Sequence, residues 1–209
     1  MQISKTILHL CADMGSDSMP YIQNGYYVIC IGKNIGVENY YPPDNVYGII
    51  ANPVCTEFSI ASGFHKKRNI EKGMFLVNHC LRIINICKKE NLKFWVIENP
   101  ASGRLKNPLL LGQPDYVYEP WWFGDPWTKK TALWGKFNIP VRRYYNWSDV
   151  PKNPNLYIRP GRGKPSMAFL HKSAKNYIPN LSGFPVENDS DFRSLCPQKF
   201  AKAFYEVNR

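Results

Sequence analysis

No two cysteines in this chain have the CxxC spacing, and no His/Cys cluster has the spacing of a zinc site. The six cysteines (Cys11, Cys30, Cys55, Cys80, Cys87 and Cys196) are scattered, which is the usage of a reducing compartment rather than of a disulfide-held fold. No metal is expected. No apolar run is long enough to span a membrane. The N-terminal MQISKTILHLCADMG lacks the basic start, long apolar stretch and small-residue cleavage site of a signal peptide. These absences predict a cytoplasmic protein with no membrane partner. Acids are also scarce: 16 Asp and Glu stand against 27 Lys and Arg, giving a net charge of +11. That excess favours a polyanionic partner over a neutral metabolite. There is neither an internal repeat nor a low-complexity tract.

The 209 residues suit one domain with a small appended region, and a hydrophobic content of 44% allows a real core. Lys5–Leu10 reads as a buried strand, Tyr26–Ile31 and Tyr47–Ala51 as two more, and Phe94–Ile97 as a fourth. Between them, Ile70–Lys89 is the clearest helix, with Ile70, Met74, Val77, Leu81 and Ile84 at helical spacing. Cys80 and Cys87, two turns apart on it, read as core thiols. Strand and helix in alternation predict a parallel sheet with helices packed on it. After Pro100 the chain becomes rich in Pro, Trp and Tyr. Periodicity returns only in PQKFAKAFYEVN, a helix with Pro197 in its first turn. The aromatic cluster Tyr118–Trp127 reads as packing, with Asp125 ordering a turn. The division expected is a core over 1–140, a basic loop-rich segment over 141–193 and a returning C-terminal helix over 194–209.

Ligands of open α/β sheets sit outside the carboxyl ends of the strands. Three strands here end in unusual polar chemistry: CADMGS after the first, NPVCTEFS after the third and ENPASGR after the fourth. Cys55, on a loop leaving a buried strand, is placed to be an exposed nucleophile. Glu98, at the mouth of an apolar strand, is costly to bury unless it is paired or protonated, and a raised pKa would suit a proton donor.

At these residues the chain resembles the DNA cytosine-C5 methyltransferases, in particular short methyltransferase-like proteins of phage genomes. ANPVCTEFSIA is similar to the family's GGPPCQxFS nucleophile motif, and VIENP to its strand ending in Glu-Asn-Val. LHLCADMGSDSMPYIQNGYYV resembles the cofactor motif LFxGxGGxxxGxxxxGxxV. FGDPWTKKTALWG resembles GxPQxRxRxxxxxG, and SLCPQKFAKAFYEVN the final helix, whose start folds back to the cofactor. The likeness covers about Leu8 to Asn208 and is weakest between Val141 and Arg193.

The resemblance implies an α/β, Rossmann-like S-adenosylmethionine-dependent methyltransferase fold with a reduced sheet and no large target-recognition domain. It implies a cytosine-C5 methyltransferase acting on DNA, with S-adenosylmethionine as cofactor. Cys55 would add as a thiolate to C6 of the base, Glu98 would bond or protonate N3, and Lys129 stands where the family has an arginine. Ala12, Asp13, Met14, Gly15, Ser16, Lys33, Asn34, Asn52 and Pro53 would hold the cofactor. Ser59, Asn99, Ser102 and Arg104 would hold the base, its phosphate or the nucleophile loop.

The chain also departs from the family. Gly15 is the single glycine of the first motif, Lys33 or Asn34 stands where a ribose-binding acid is usual, and GVENYYPPDN replaces a helix and strand. In place of a recognition domain, Val150–Val186 has no Asp or Glu and carries Lys152, Arg159, Arg162, Lys164, Lys172 and Lys175, with Tyr157 and Phe169 as aromatics for stacking. Two alternatives stay open: an enzyme modifying C5 of a free pyrimidine nucleotide such as dCMP, and a non-catalytic protein binding nucleic acid or a host factor on the same scaffold.

Overall fold

The computed structural model describes residues 5–59 and 67–209. Its strands are β1 (Thr6–Leu10), β2 (Tyr27–Ile31), β3 (Val46–Ala51), β4 (Phe94–Pro100), β5 (Tyr116–Tyr118) and β6 (Thr131–Lys136). They form one six-stranded sheet in the order β2-β1-β3-β4-β6-β5. The first four are mutually parallel, while β6 runs antiparallel to both β4 and β5. The sheet is therefore mixed and Rossmann-like, which corrects the purely parallel expectation. The short run TALWGK, with no clear periodicity of its own, pairs with β4 from Trp95 to Pro100. That pairing draws Glu98 and Asn99, expected on a loop, into the strand. Gly135 makes the close approach possible: its φ is 153°, and a Cβ there would lie 2.1 Å from the Trp95 carbonyl oxygen.

Helices cover both faces. On one face α2 (Ile70–Lys88) buries Gly73, Val77, Cys80, Ile83, Ile84 and Cys87. These meet Leu8, Leu10, Ile49, Ala51 and Ile97 of the sheet. The helix starts where the Asn69 side chain accepts from the Lys72 amide. Met74 and Leu81, expected on its inner face, are only partly buried. On the other face lie α1 (Met19–Gln23) and α4 (Gln198–Val207), whose Phe200, Ala201, Phe204 and Tyr205 pack on Ile7, Ile50, Phe94 and Val96. Alternation along each strand sorts these two sets. Pro197 stands just ahead of α4 as its N-cap and makes no side-chain cap bond. Instead, Asp125 Oδ2 accepts from the Lys199 amide at 3.2 Å. Burial pushes this carboxyl up to about 7, against the opposing pull of Lys199. Asp125 thus caps a distant helix, beyond the turn-ordering role expected of it.

Residues 141–193 hold short 3₁₀ turns and α3 (Asp189–Ser194), which opens on an Asn188/Asp191 capping box. They are not a bare loop. Trp127, Leu156, Met167, Leu170, Ile178 and Phe192 belong to a third buried cluster. The short β2–β3 connection is held down by Arg82 of α2, whose Nη2 donates to the Val37 and Tyr40 carbonyls at 3.0 and 2.8 Å.

Candidate active site

Strand order fixes where the polar residues meet. The chain leaves β1 toward β2 on one side and returns to β3 on the other, so the crevice between the carboxyl ends of β1 and β3 is a topological switch point. Leu10 pairs with Ala51, and Ala51 with Ile97, so β1 and β3 end level beside Ile97, while β4 continues to Pro100. On the face covered by α4, the positions following Ile7, Ile50 and Val96 by two are His9, Asn52 and Glu98.

These three side chains form a continuous row. His9 Nε2 lies 2.8 Å from Asn52 Oδ1, and His9 Nδ1 lies 2.8 Å from Ser18 Oγ. Asn52 Nδ2 donates to Asp17 Oδ1 at 3.1 Å and to Glu98 Oε2 at 3.2 Å. Burial pushes the Glu98 carboxyl up and the neighbouring Asp17 adds to this, while Lys129 and the Asn52 bond pull it down. Glu98 as a whole is partly exposed, yet its carboxyl lies deep, beside a cavity of about 20 Å³ lined by Asp17, Cys196, Leu133 and Phe204. Burial likewise lowers the His9 imidazole, which is 1% exposed.

Cys55 is half-buried on the turn leaving β3, where its carbonyl accepts from the Phe58 and Ser59 amides at 2.9 and 2.7 Å. Its thiol is pushed up, first by burial and then by the charge of Glu98, and Lys129 opposes both. The resting group is therefore a thiol rather than a thiolate. Lys129 Nζ is anchored on the carbonyls of Ser194 and Leu195 at 3.2 and 2.8 Å, at the end of α3. Cys55, Glu98 and Lys129 are thus brought within mutual electrostatic reach. Ile60 and Ala61, the last residues of the Cys55 motif, lie outside the described residues.

The other expected residues divide. Cys11 takes a left-handed φ of 56° and Gly15 one of 65°, turning the chain sharply around Ala12–Met14. Asp13 Oδ1 accepts from the Lys33 amide at 2.9 Å, which gathers Asp13, Lys33 and Asn34 at the mouth of β1 and β2. Ala12 is buried and its amide donates to the Ile31 carbonyl at 3.1 Å. Met14 turns away into the third buried cluster. Ser16 Oγ accepts from the Cys196 amide at 2.9 Å, so the start of α4 returns to the first loop. Asn52 is committed to the carboxyl row rather than open to a cofactor.

Asn99 lies on the opposite face of β4 from Glu98. Its Nδ2 donates to the Pro53 carbonyl at 2.9 Å and steadies the nucleophile turn, which corrects its reading as a base contact. Ser59 is buried, its amide donating to the Cys55 carbonyl, and Ser102 and Arg104 lie beyond β4, both exposed. Sequence reasoning missed His9, Asp17, Ser18 and Cys196. His9 carried a signal: it interrupts an apolar strand, and a buried polar group needs partners.

The basic segment runs into this site. Thr128, next to Lys129, donates from its amide to the Pro165 carbonyl at 2.9 Å. Lys164 lies 4.4 Å from the Trp121 ring and 5.2 Å from that of Trp147, and Arg142 lies 3.3 Å over Trp122. Trp121, Trp122 and Trp147 are half-buried, whereas Phe123 and Trp127 are core. Phe169 is covered by Arg159 at 4.6 Å and Tyr157 is exposed. Lys152 and Lys172, expected to track phosphates, instead hold backbone carbonyls, those of Val150 and Glu187 among them. Among the described residues, no cluster of His, Cys, Asp and Glu could hold a metal, and no helix is long and apolar enough to cross a membrane. No protein-family model matches the chain, and no curated protein matches it.

Proposed function

We propose that this protein is a cytosine-C5 methyltransferase acting on DNA, with Cys55 as nucleophile and Glu98 as ring activator. The observation that carries the reading is the joint delivery of Cys55 and Glu98 to adjacent strand ends, with Lys129 acting on both and the Glu98 charge raising the Cys55 thiol. Burial that raises the Glu98 carboxyl favours its protonated form, whose proton N3 would take. Losing that proton to the ring would restore the carboxylate, so proton donation and attack must be concerted. A protonated Glu98 also removes the charge that opposes thiolate formation at Cys55. Thiolate and protonated carboxyl together carry the same net charge as thiol and carboxylate.

The thiolate sulfur bonds to C6 as N3 takes the Glu98 proton, which leaves electron density on C5 to accept the methyl group. Loss of the C5 proton to a water or hydroxide base then expels the thiolate, the N3 proton returns to the Glu98 carboxylate, and the aromatic ring is restored. A duplex target would first have to be flipped out of the stack.

The residues at the mouth of β1 and β2 fit a ribosyl cofactor in part. Asp13 supplies a carboxylate at the end of β2, where the sequence has no acid of its own. Gly32 leaves room for it, since a Cβ there would lie 2.7 Å from Asp13 Oδ1. Asp13, Gly15 and Asn34 would hold S-adenosylmethionine, which supplies the methyl electrophile when bound. A nucleic-acid partner is favoured by charge placement. From Pro126 to Val186 the chain has eleven Lys or Arg and one acid, Asp149, so this stretch carries a net +10 of the total +11.

The test is transfer of labelled methyl from S-adenosylmethionine to DNA and to dCMP, offered separately, with Cys55→Ala and Glu98→Gln alongside. Label in DNA that falls at least about a thousandfold in Cys55→Ala supports the proposal. Label in dCMP alone would reassign the substrate, and no label from folded protein would overturn the reading.

A further inference from the structure

Asn52 offers one acceptor and one doubly protonated donor, and its surroundings use both. Oδ1 faces His9 Nε2, while Nδ2 faces the carboxyls of Asp17 and Glu98. His9 is buried and its imidazole is held neutral. Ser18 Oγ, also buried, stands 2.8 Å from Nδ1. The Ser18 hydroxyl has one proton and two acceptors in reach, the Gly15 carbonyl at 3.1 Å and Nδ1 at 2.8 Å. Because Asn52 Oδ1 can only accept, Nε2 must carry the single ring proton, and the hydroxyl then turns to the nearer Nδ1. If the amide turned over, its own NH₂ would meet that N–H and its oxygen would meet two carboxyls. Both contacts would be repulsive or would capture a carboxyl proton.

We propose that His9 is a positioning residue for Glu98: by fixing the orientation of Asn52, it keeps Glu98 Oε2 as an acceptor and leaves the proton of the carboxylic acid to Oε1. An amide N–H can only donate, so the oxygen it occupies is the carbonyl-like one of a protonated carboxyl. Without His9, a turned Asn52 would draw the Glu98 proton onto its own Oδ1 and away from a substrate. The relay is written into strand register: His9 pairs with Ile50, two residues before Asn52 on the same face, and Asn52 follows Ala51 as Glu98 follows its partner Ile97. Only the use of the Oε1 proton on a pyrimidine rests on the proposed methyl transfer.

The groups acting on Glu98 are Asp17 from the loop before α1, Asn52 and Lys129. Cys55, Tyr118 and Cys196 are charge-linked to it in turn, and α4 presents Phe200, Ala201 and Phe204 to the shared cavity. The experiment is a ¹³C NMR titration of the Glu98 carboxyl, assigned by Glu98→Gln, in the wild type, His9→Phe and His9→Gln. Phe fills the ring volume without a donor, and the Glu98 midpoint should rise by about one pH unit as the Asn52 bond is lost. Gln restores an N–H and should return the midpoint most of the way, a rescue that a purely space-filling role does not give. In methyl transfer, His9→Phe should lower kcat about tenfold with KM unchanged.

An unshifted midpoint in folded His9→Phe overturns the proposal. Should that variant not fold, ¹⁵N shifts of His9 in the wild type decide: a proton on Nδ1 rather than Nε2 overturns it equally. The titration needs no methyl transfer, so the role of His9 stands or falls independently of the transfer assay.

Discussion

Replacing Asp125 by Asn should make the protein less sensitive to alkaline pH. The carboxyl is 2% exposed, accepts from the Lys199 amide, and is pushed up to about 7 from an ordinary 3.8. A carboxyl whose pKa is raised on folding binds its proton more tightly in the native state, so stability falls as pH rises between the two values. Linkage over that interval gives about 2–3 kcal/mol lost between pH 5 and pH 8 through this one group. Asn keeps an oxygen for the Lys199 amide and has no proton to lose. Denaturant unfolding of both proteins at the two pH values isolates the effect, because every other titrating group cancels in the double difference. The variant should be close to wild type at pH 5 and clearly more stable at pH 8. A variant destabilised more at pH 8 than at pH 5 would refute the reasoning. It would mean that the ionised carboxylate, paired with the start of α4 and with Lys199, is the favoured state.

Four further outcomes are expected. Gly135→Ala places a Cβ against the Trp95 carbonyl at a φ of 153° and should cost at least about 3 kcal/mol, read as a fall in Tm or as loss of soluble protein. Lys164→Glu, at the Trp121 and Trp147 rings, should weaken DNA binding at low salt and flatten its salt dependence. Lys152→Glu should act mainly through stability, because its ammonium holds the carbonyls of Trp147, Ser148 and Val150; anisotropy with labelled oligonucleotides and thermal melts separate the two. Arg82→Met should loosen the β2–β3 connection by removing its donors to Val37, Glu38 and Tyr40, seen as faster amide exchange there with α2 intact.

The parts legible in the sequence were those with a strong local pattern. β1, β3 and α2 announce themselves by apolar runs or helical spacing, and each falls within a residue or so of its expected bounds. β5 and β6 did not, because three and six residues rich in Tyr, Trp and Thr sit among prolines with no long alternation. Their partner decides them: β6 exists because β4 has a free edge, which no local window records. The core of residues 141–193 was hidden for a similar reason. Its apolar side chains are single and widely spaced, and they meet only once the chain has wrapped back on Trp127.

The site shows the same division between what a motif marks and what a fold assembles. Cys55 and Glu98 stand out as reactive residues at strand ends, and reading those ends alone brings them together. Asp17 and Ser18 sit in a loop whose charge and hydroxyls look like ordinary solvated groups, and only the return of β1 beside β3 turns them inward. His9 is the instructive case. An imidazole within a strand that is otherwise apolar costs about 2 kcal/mol or more unless both ring nitrogens are bonded. Its tolerance therefore implied two buried partners, one on the adjoining strand. His9 pairs with Ile50, so Asn52, two residues further on the same face and just past the end of β3, is a position from which such a partner can reach it. The polar row is thus a consequence of parallel strands whose like faces stand side by side where β1 and β3 end, and the chemistry of Glu98 depends on that alignment more than on any motif around it.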